Sequence, residues 1–363
     1  MNIVIACGGT GGHLFPGLAV GEVLLQRGHQ VMLIISEKKI DAVAVEGRSE
    51  FLIEKLPSVG MPSLLSIEII PFLFRFLSGV SRCKQIFRNF KPDVILGMGG
   101  FTSTAPILAG QRFGARTFIH ESNVIPGKAN RLNAKIASKV LLGFEEAMER
   151  LPSAKCIVTG TPIRSALRET GDRAAIYEKL NLQPDKKTIL ITGGSQGASG
   201  INHAFCRIAN RFSEHPYQVI HLTGDRDPEV VGKSWADAGV PAYISPFYHQ
   251  MQELYQISDL VVSRSGASSL SETAYFGTAS ILIPYPYAAE DHQTRNAEVY
   301  AQGGAATVLK ETEGLAERLY AEIVRILDTP DVLKEMKLAA LELSPADAAF
   351  QVANCLENGG EKE

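Results

Sequence analysis

The sequence predicts an α/β protein of two domains, each built on a parallel β-sheet with helices on both faces. Short apolar runs alternate with helical patterns along all 363 residues, and strands separated by helices form parallel sheets. A chain of this length exceeds one ordinary core. Two similar strand–glycine-loop–helix units also lie about half a chain apart. We therefore expect two Rossmann-like domains that face one another across a cleft.

Ten apolar runs are predicted to be strands, five in each half of the chain. They are 3–7, 31–35, 94–98, 117–120, 140–142, 188–192, 218–222, 242–244, 260–262 and 280–283. Because these runs are apolar on both faces, they suit strands inside a sheet. We predict domains at 1–160 and 161–339, with a polar, proline-containing linker at 151–164. A last helix at about 346–356, within the segment 340–363, is a candidate to pack back on the first domain.

Composition and charge exclude several classes of protein. Hydrophobic residues make up 45% and charged residues 21% of the chain, which is typical of a folded protein. The net charge of −3 argues against broad nucleic-acid binding, which requires excess Lys and Arg. The five cysteines form no CxxC pair, so we predict neither disulfides nor a zinc site. This cysteine pattern fits a protein of the reducing cytoplasm. No apolar run is long enough to span a membrane, although binding at a membrane surface stays open.

Two glycine-rich loops follow predicted strands and open helices. They are GGTGGH at 8–13 and GGSQGA at 193–198. Such a loop leaves backbone N–H groups available, and the helix N-terminus that follows stabilises an anion such as phosphate. Neither loop matches GxGxxG or a P-loop, and a tight turn without a ligand is the alternative for each. Since ligands of open parallel sheets bind at the carboxyl ends of the strands, the pair favours anion binding.

A third loop, RSGASSLSE at 264–272, follows a predicted strand and begins a helix. Small hydroxyl residues at a helix start either cap the helix or bind a pyrophosphate. Glu272, one turn further on, is placed to hold both hydroxyls of a ribose, or it belongs to an acidic first turn. Downstream, DHQTRN at 291–296 suits sugar hydroxyls or a polar helix start.

Together these motifs resemble the MurG family, the N-acetylglucosaminyltransferases that convert lipid I to lipid II in peptidoglycan synthesis. The ordered series is GGTGGHLFPGLAV at 8–20, KPDVILGMGGFTS at 91–103, HESNVIPGKANR at 120–131, GTPIR at 160–164, GGSQGA at 193–198, RSGASSLSE at 264–272 and DHQTRN at 291–296. The resemblance implies the GT-B fold. It also implies that UDP-GlcNAc binds mainly to the C-terminal domain and the lipid-linked acceptor to the N-terminal one.

The resemblance also implies the residues of the site. On the donor side these are Thr10, Gly11, Gly12, Asn123, Arg164, Ser195, Tyr248, Ala267, Ser268, Ser269, Leu270, Ser271, Glu272 and Gln293. Asn123 and Gln293 would contact the sugar, Ser195 the pyrophosphate and 267–272 the phosphate and ribose, while the backbone near Tyr248 would meet the uracil.

On the acceptor side the resemblance implies Gly99, Gly100 and Phe101. Some members of the family carry tyrosine where this chain has Phe101, so any hydrogen bond of that hydroxyl is absent here.

The reaction implied by the resemblance inverts an α-linked donor into a β-1,4-linked product. It needs a base near the acceptor C4 hydroxyl, and His13 is favoured over Glu121 for that role. Either residue alternatively makes only structural hydrogen bonds. Arg164, the hydroxyls near 268–269 and helix N-termini would stabilise the departing UDP in place of a metal. We therefore expect no metal and no other cofactor, and we interpret the DxD triplet at 225–227 as chance.

The segment between 61 and 91 is unusually apolar and is followed by cations. Its apolar residues are Leu64, Leu65, Ile67, Ile69, Ile70, Phe72, Leu73, Phe74, Phe76 and Leu77, and its basic residues are Arg75, Arg82, Lys84, Arg88 and Lys91. This pattern suits an anionic membrane interface, or a core helix with a solvated basic end. We expect a peripheral protein at the cytoplasmic face of the cell membrane, with UDP-GlcNAc, lipid I, anionic lipids and cell-wall synthesis proteins as partners.

Four alternatives remain open on the sequence. Two keep the fold: another UDP-sugar transferase, and a non-hydrolysing UDP-GlcNAc 2-epimerase, which needs no lipid-binding patch. An NAD-dependent oxidoreductase is disfavoured because GxGxxG is missing and 31–36 lacks an acidic residue at the end of the second strand. The retention of His13, Glu121, Glu272 and Gln293 argues against an inactive sugar-nucleotide-binding subunit.

Overall fold

The computed structural model describes residues 1–57, 60, 62, 67–194 and 197–360. They form two compact α/β units, of which the first comprises Met1–Arg164 and Pro345–Glu363, and the second Ser165–Ser344. The first unit ends four residues later than the predicted domain end at 160, and the C-terminal segment belongs to this unit. Each unit contains one parallel sheet with helices on both faces, which confirms the predicted fold class.

The sheets have seven and six strands. Their order is β3-β2-β1-β4-β5-β6-β7 in the first unit and β10-β9-β8-β11-β12-β13 in the second. The strands are β1 Asn2–Ala6, β2 Gln30–Ser36, β3 Leu52–Leu56, β4 Val94–Gly97, β5 Arg116–Glu121, β6 Lys139–Leu142, β7 Cys156–Val158, β8 Lys187–Thr192, β9 Tyr217–Leu222, β10 Ala242–Ser245, β11 Leu260–Ser263, β12 Ala279–Leu282 and β13 Ala306–Val308. In register, Ala6 is paired with both Ile34 and Gly97, so the segments after β1, β2 and β4 emerge together.

Fourteen α-helices lie within the described residues. They are α1 Gly11–Gln26, α2 Lys39–Ala44, α3 Ile69–Phe90, α4 Phe101–Arg112, α5 Lys128–Ile136, α6 Arg173–Lys179, α7 Ser199–Ile208, α8 Pro228–Asp237, α9 Met251–Ile257, α10 Ala267–Tyr275, α11 His292–Gln302, α12 Leu315–Leu327, α13 Pro330–Glu342 and α14 Ala348–Asn358. Across the described part of the chain, none of them combines the length and the apolarity that crossing a membrane requires.

Close packing in the first unit holds α1 against β1 and α14 against both. A Cβ atom on Gly17 would lie 2.5 Å from Cβ of Cys7, so this position of α1 requires glycine. Val352 and Leu356 of α14 join the core formed by α1, β1 and β2. Glu357 of α14 also forms an ion pair with Arg27 at the end of α1, with 2.5 Å between Oε2 and Nη1. The last helix is therefore an integral part of the first unit.

Three strands were not predicted, and all three lie at sheet edges. They are β3, β7 and β13. β7 lies inside 151–164, so the stretch predicted to be the linker also contains a strand of the first sheet, and it ends with the first unit at Arg164. An edge strand has one paired neighbour and needs no continuous apolar run, which is why the criterion of two apolar faces missed these segments.

Candidate active site

The first glycine loop, which joins β1 to α1, is fastened to the end of β2 by a buried carboxylate. Oδ2 of Asp41 accepts hydrogen bonds from the N–H of Gly9 at 2.7 Å and from the N–H and Oγ of Ser36 at 3.0 and 2.5 Å. A Cβ on Gly8 would lie 2.2 Å from the nitrogen of Ser36, so no larger residue fits. The sequence did not single out Asp41, whose signal was its place just after the second strand.

His13 lies in the first turn of α1 beside the glycines that precede α4. Its Nδ1 is 3.2 Å from Oγ1 of Thr10, the N-cap residue of α1. A Cβ on Gly99 would lie 2.7 Å from its Nε2, and one on Gly100 would lie 3.6 Å from its ring. Gly99 and Gly100 have φ of +114° and +70°, a region that favours glycine. The structure therefore brings together the candidate base and the predicted acceptor-side glycines.

The imidazole of His13 is held in its neutral form. Burial lowers the pKa of His13 to about 4, while the charge of Asp41 opposes this shift and that of Lys38 adds to it. Gly11 and Gly12, the first two residues of α1, precede it, so the start of this helix presents backbone rather than side chains. A neutral imidazole can accept a proton, which is the first requirement of a general base.

Glu121 ends β5, and both of its carboxylate oxygens are already in use. Oε1 accepts from the backbone and side-chain nitrogens of Asn123 at 2.9 and 3.2 Å. Oε2 accepts from the N–H of Gly127 at 3.0 Å and Nδ2 of Asn130 at 2.9 Å. Burial raises the pKa of Glu121, and these four donors oppose that rise. The geometry favours a role in holding Asn123 and its loop.

Three further residues of the first unit have defined surroundings. His120 is buried, with Nε2 2.9 Å from the carbonyl oxygen of Gly160, and burial lowers the pKa of His120 to about 4. The guanidinium carbon of Arg164 lies 4.6 Å from the ring centre of Phe15 in α1. Phe101 begins α4 and packs edge-on against Phe72 at 5.8 Å.

In the second unit, the second glycine loop follows β8. A Cβ on Gly193 would lie 2.3 Å from the nitrogen of Ala198, and one on Gly197 would lie 2.4 Å from the carbonyl oxygen of Thr223. Glycine is therefore required for the loop to pack against the end of β9. Ser195, the residue predicted to lie near the pyrophosphate, is outside the described residues.

The start of α10 has the properties of an anion site. The first-turn N–H groups of a helix have no partner inside the helix, and they carry its positive end. Oγ of Ser268 is buried and has no hydrogen-bond partner within the described residues. Nothing lies within 4 Å of a Cβ built on Gly266, the N-cap. Open space, the first-turn N–H groups and a buried hydroxyl thus meet at one point.

The remaining residues of this segment divide into two groups. Ala267 and Leu270 are buried, and Oγ of Ser271 donates to the carbonyl oxygen of Ala267 at 3.0 Å, so these three side chains serve the helix and its packing. Ser269 and Glu272 are half-buried. Any contact of Ala267, Leu270 or Ser271 with a ligand would therefore come from the backbone.

Glu272 is oriented by a residue that the sequence did not predict. The phenol of Tyr255 in α9 donates to Oε2 of Glu272 at 3.2 Å, and its ring stacks on Phe276 at 5.2 Å between centres. A buried phenol fixed in this way restricts the carboxylate to few rotamers. Tyr255 is thus a candidate positioning residue, and only tertiary contacts reveal it.

Gln293 and Tyr248 are each fixed by local hydrogen bonds. Oε1 of Gln293 accepts from the N–H of Tyr285 at 2.9 Å, and its carbonyl oxygen accepts from Oγ of Ser265 at 2.8 Å, which holds the start of α11 beside the 264–272 loop. The buried Tyr248 donates its phenol to Glu253. The Tyr248 side chain thereby anchors the loop between β10 and α9.

No metal-binding cluster is found in the part of the chain that the structure describes, where a cluster means three or more His, Cys, Asp and Glu side chains suitably grouped. Asp227 of the DxD triplet is the N-cap residue of α8 with φ of +52°.

Helix α3 and the turn that precedes it carry two different apolar faces. Ile67, Phe74 and Leu77 are 86%, 72% and 62% exposed, and Ile70 and Leu73 are exposed as well. Phe72 and Phe76 instead stack on one another at 6.1 Å, so including them in one apolar surface was wrong. Residues on a helix share a face at spacings of three and four, which separates the two sets. Leu64 and Leu65 lie outside the described residues.

Comparison with known proteins decides the family. Residues 3–142 match the glycosyltransferase family 28 N-terminal domain, and residues 188–352 match its C-terminal domain. The UDP-N-acetylglucosamine–N-acetylmuramyl-(pentapeptide) pyrophosphoryl-undecaprenol N-acetylglucosamine transferase of Bacillus licheniformis is 37% identical and aligned over 98% of both chains. The transferase of that name from Geobacter sulfurreducens is 35% identical over 100% of both chains. The chain belongs to the MurG family.

Solved structures agree with this assignment. The crystal structure of Acinetobacter baumannii MurG has a TM-score of 0.78 and 25% identity, and covers 99% of this chain and 100% of its own. The UDP-GlcNAc 2-epimerase of Neisseria meningitidis has a TM-score of 0.71 at 16% identity, covering 99% and 100%, so it shares the fold alone. The resemblance to the MurG family found in the motifs is thereby confirmed.

Proposed function

We propose that this chain transfers N-acetylglucosamine from UDP-GlcNAc to the C4 hydroxyl of the muramyl sugar of lipid I, which yields lipid II. The observation that carries the proposal is likeness along the whole chain to transferases named for this reaction, at 37% and 35% identity. An epimerase of the same fold shares only 16%. The protein is accordingly a hexosyltransferase of peptidoglycan synthesis.

For the donor, we propose that UDP-GlcNAc binds at the start of α10. The helix N-terminus and the buried hydroxyl of Ser268 suit the pyrophosphate. Glu272, fixed by Tyr255, is placed one turn further on to accept hydrogen bonds from the ribose hydroxyls. Gln293 is held beside the same loop through Ser265 and is assigned to the sugar.

For the chemistry, we propose that His13 is the general base. The acceptor C4 oxygen attacks the anomeric carbon, its proton passes to the neutral imidazole, and the bond between that carbon and the UDP oxygen breaks on the opposite face. Nδ1 of His13 lies within hydrogen-bond distance of Thr10. Nε2, on the side of the imidazole beside Gly99, is therefore assigned to the acceptor hydroxyl. Glu121 is assigned to holding Asn123, since four N–H groups already occupy its oxygens.

The charge that develops on UDP is assigned to this chain's own groups. The N-terminus of α10 and the hydroxyl of Ser268 are fixed before reaction, so they stabilise negative charge without reorganisation. Arg164, stacked on Phe15, supplies a permanent cation. This assignment includes no metal or other cofactor.

For the membrane, we propose that the exposed face of α3 rests on the cytoplasmic surface of the cell membrane. A surface made of Ile67, Ile70, Leu73, Phe74 and Leu77 would bury its apolar side chains at the boundary of the acyl chains. The exposed Arg75, Arg82, Arg88 and Lys91 would meet anionic headgroups. A lipid-linked acceptor requires such a location. Binding to cell-wall synthesis proteins stays a prediction.

Incorporation of labelled GlcNAc into a lipid I analogue tests the proposed reaction. Parallel incubation without acceptor tests the epimerase alternative, because 2-epimerisation would convert UDP-GlcNAc to UDP-ManNAc. The proposal expects the first product and not the second.

A further inference from the structure

We infer that Asp41 is a positioning residue of the transfer reaction: its buried carboxylate clamps the first glycine loop, and its negative charge sustains His13 as a base. The inference rests on the proposed function, because the transfer reaction supplies the proton that His13 accepts. It adds a residue that lies in none of the glycine loops and that the motifs do not contain.

The clamp consists of three donors that converge on one oxygen. The N–H of Gly9 and both donors of Ser36 reach Oδ2 of Asp41 at 2.5–3.0 Å. Asp41 is fully buried, so water does not compete for these bonds. Because Gly9 directly precedes Thr10, the N-cap of the helix that carries His13, displacement of this carboxylate would release the start of α1.

The surroundings of Oδ1, the second carboxylate oxygen of Asp41, indicate that hydrogen bonding alone does not explain why a charged residue is buried here. Oδ1 of Asp41 is buried, and no donor reaches it from any described residue. An asparagine with its carbonyl oxygen at the Oδ2 position would accept the same three bonds without a buried ion. Burying an anion is costly, so the charge itself calls for a role.

The surroundings of His13 indicate that role. Lys38, on the segment between β2 and α2, donates to the carbonyl oxygen of Gly9 at 2.9 Å, and His120 lies at the end of β5. The Gly99–Gly100 segment brings no titratable group. Burial and the charge of Lys38 both lower the pKa of His13, and Asp41 is the group that raises it. A base whose pKa falls too low accepts protons poorly, so Asp41 maintains its strength.

The decisive variant is Asp41→Asn, which keeps an acceptor for the loop and removes the charge. We expect its affinity for UDP-GlcNAc to stay near that of the unaltered protein. Its melting temperature should fall by a few degrees, because the amide nitrogen replaces the buried Oδ1, for which no described residue provides a partner. We expect kcat with a lipid I analogue to fall several-fold. Because an anion near an imidazole favours the protonated form, its loss should move the acid midpoint of kcat/KM down by about one pH unit.

Ser36→Ala is the matched control, since it removes one donor from Oδ2 and keeps the charge. It should leave the acid midpoint where it is. A shift as large as that of Asp41→Asn would overturn the role of the charge. An unchanged kcat and midpoint in Asp41→Asn, in a protein that does transfer GlcNAc, would also overturn it and leave the proposed function intact.

The clamp is tested without catalysis by hydrogen exchange at the amide of Gly9. Asp41→Ala should accelerate exchange there, whereas Asp41→Asn should retain protection. Unchanged protection in Asp41→Ala would overturn the clamp. If Asp41→Ala does not fold, the folded Asp41→Asn variant decides alone. Faster exchange at the Gly9 amide in that variant would contradict the expectation that the side-chain oxygen at position 41 holds the loop. Failure of the unaltered protein to make product would instead count against the proposed function.

Discussion

Gly99 leaves room for His13: a Cβ at this glycine would lie 2.7 Å from Nε2 of the imidazole. That separation is shorter than any ordinary contact, so the two positions depend on one another. Gly99 of the GMGG motif and His13 of the GGTGGH motif are 86 residues apart in the sequence. The two motifs are thus packed against one another in the first unit.

Gly99→Ala should lower kcat at least tenfold, because the methyl group displaces the imidazole. UDP-GlcNAc affinity, measured by calorimetry, should change little, since the donor is assigned mainly to the second unit. Gly114→Ala is the matched control. It also places a side chain at positive φ, +76° compared with +114° at Gly99, but no atom lies within 4 Å of its Cβ. Equal loss of kcat in both variants would attribute the effect to backbone strain.

His13→Ala should lower kcat by about 10²- to 10⁴-fold, the usual contribution of a general base, with little effect on donor affinity. The neutral form is the base, so activity is lost as pH falls through the pKa of His13, which burial lowers to about 4. We expect kcat/KM to be flat from neutral pH down to about 5 and to fall below that. Unchanged turnover of the variant would remove His13 from the role.

Tyr255→Phe should weaken UDP-GlcNAc binding about threefold to tenfold, because Glu272 loses the hydrogen bond that orients it, and a typical hydrogen bond contributes about 0.5–1.5 kcal/mol. Glu272→Ala should weaken it further. The losses should not add, since both act through the ribose. A donor that lacks the ribose 2′-hydroxyl should reduce the difference between unaltered protein and Tyr255→Phe. Tyr275→Phe, on the same helix as Glu272, is the control.

Replacing Leu73, Phe74 and Leu77 with Gln should release the protein from anionic liposomes in a sedimentation assay, because these side chains are exposed. The melting temperature should be unchanged. Phe72→Ser should lower the melting temperature, because that ring packs against Phe76 and Phe101. Retained liposome binding by the triple variant would place the membrane surface elsewhere.

The sequence predicted the central strands because they are apolar on both faces, as a strand between two helical layers must be. It missed β3, whose residues include Glu54 and Lys55, because an edge strand is not buried on all sides. It also treated the apolar side chains of α3 as one surface. The helical period would have separated them, because residues three or four positions apart share a face of a helix, whereas Phe72 and Phe74 are two positions apart and lie on opposite faces.

The sequence singled out the glycine loops and Glu272 as candidates because backbone approach and charge leave local patterns. Asp41 and Tyr255 were not, since each reaches its partner only through the fold. Asp41 left a faint signal, because ligands and their supports gather after the carboxyl ends of parallel strands. Tyr255 left none, as an aromatic residue in a short helix is most often core.

The most direct test of the account is transfer of radiolabelled GlcNAc from UDP-GlcNAc to a lipid I analogue, with EDTA present and with His13→Ala alongside. We predict a labelled disaccharide-lipid from the unaltered protein and little or none from the variant. Binding of UDP-GlcNAc without any labelled lipid would contradict the central claim.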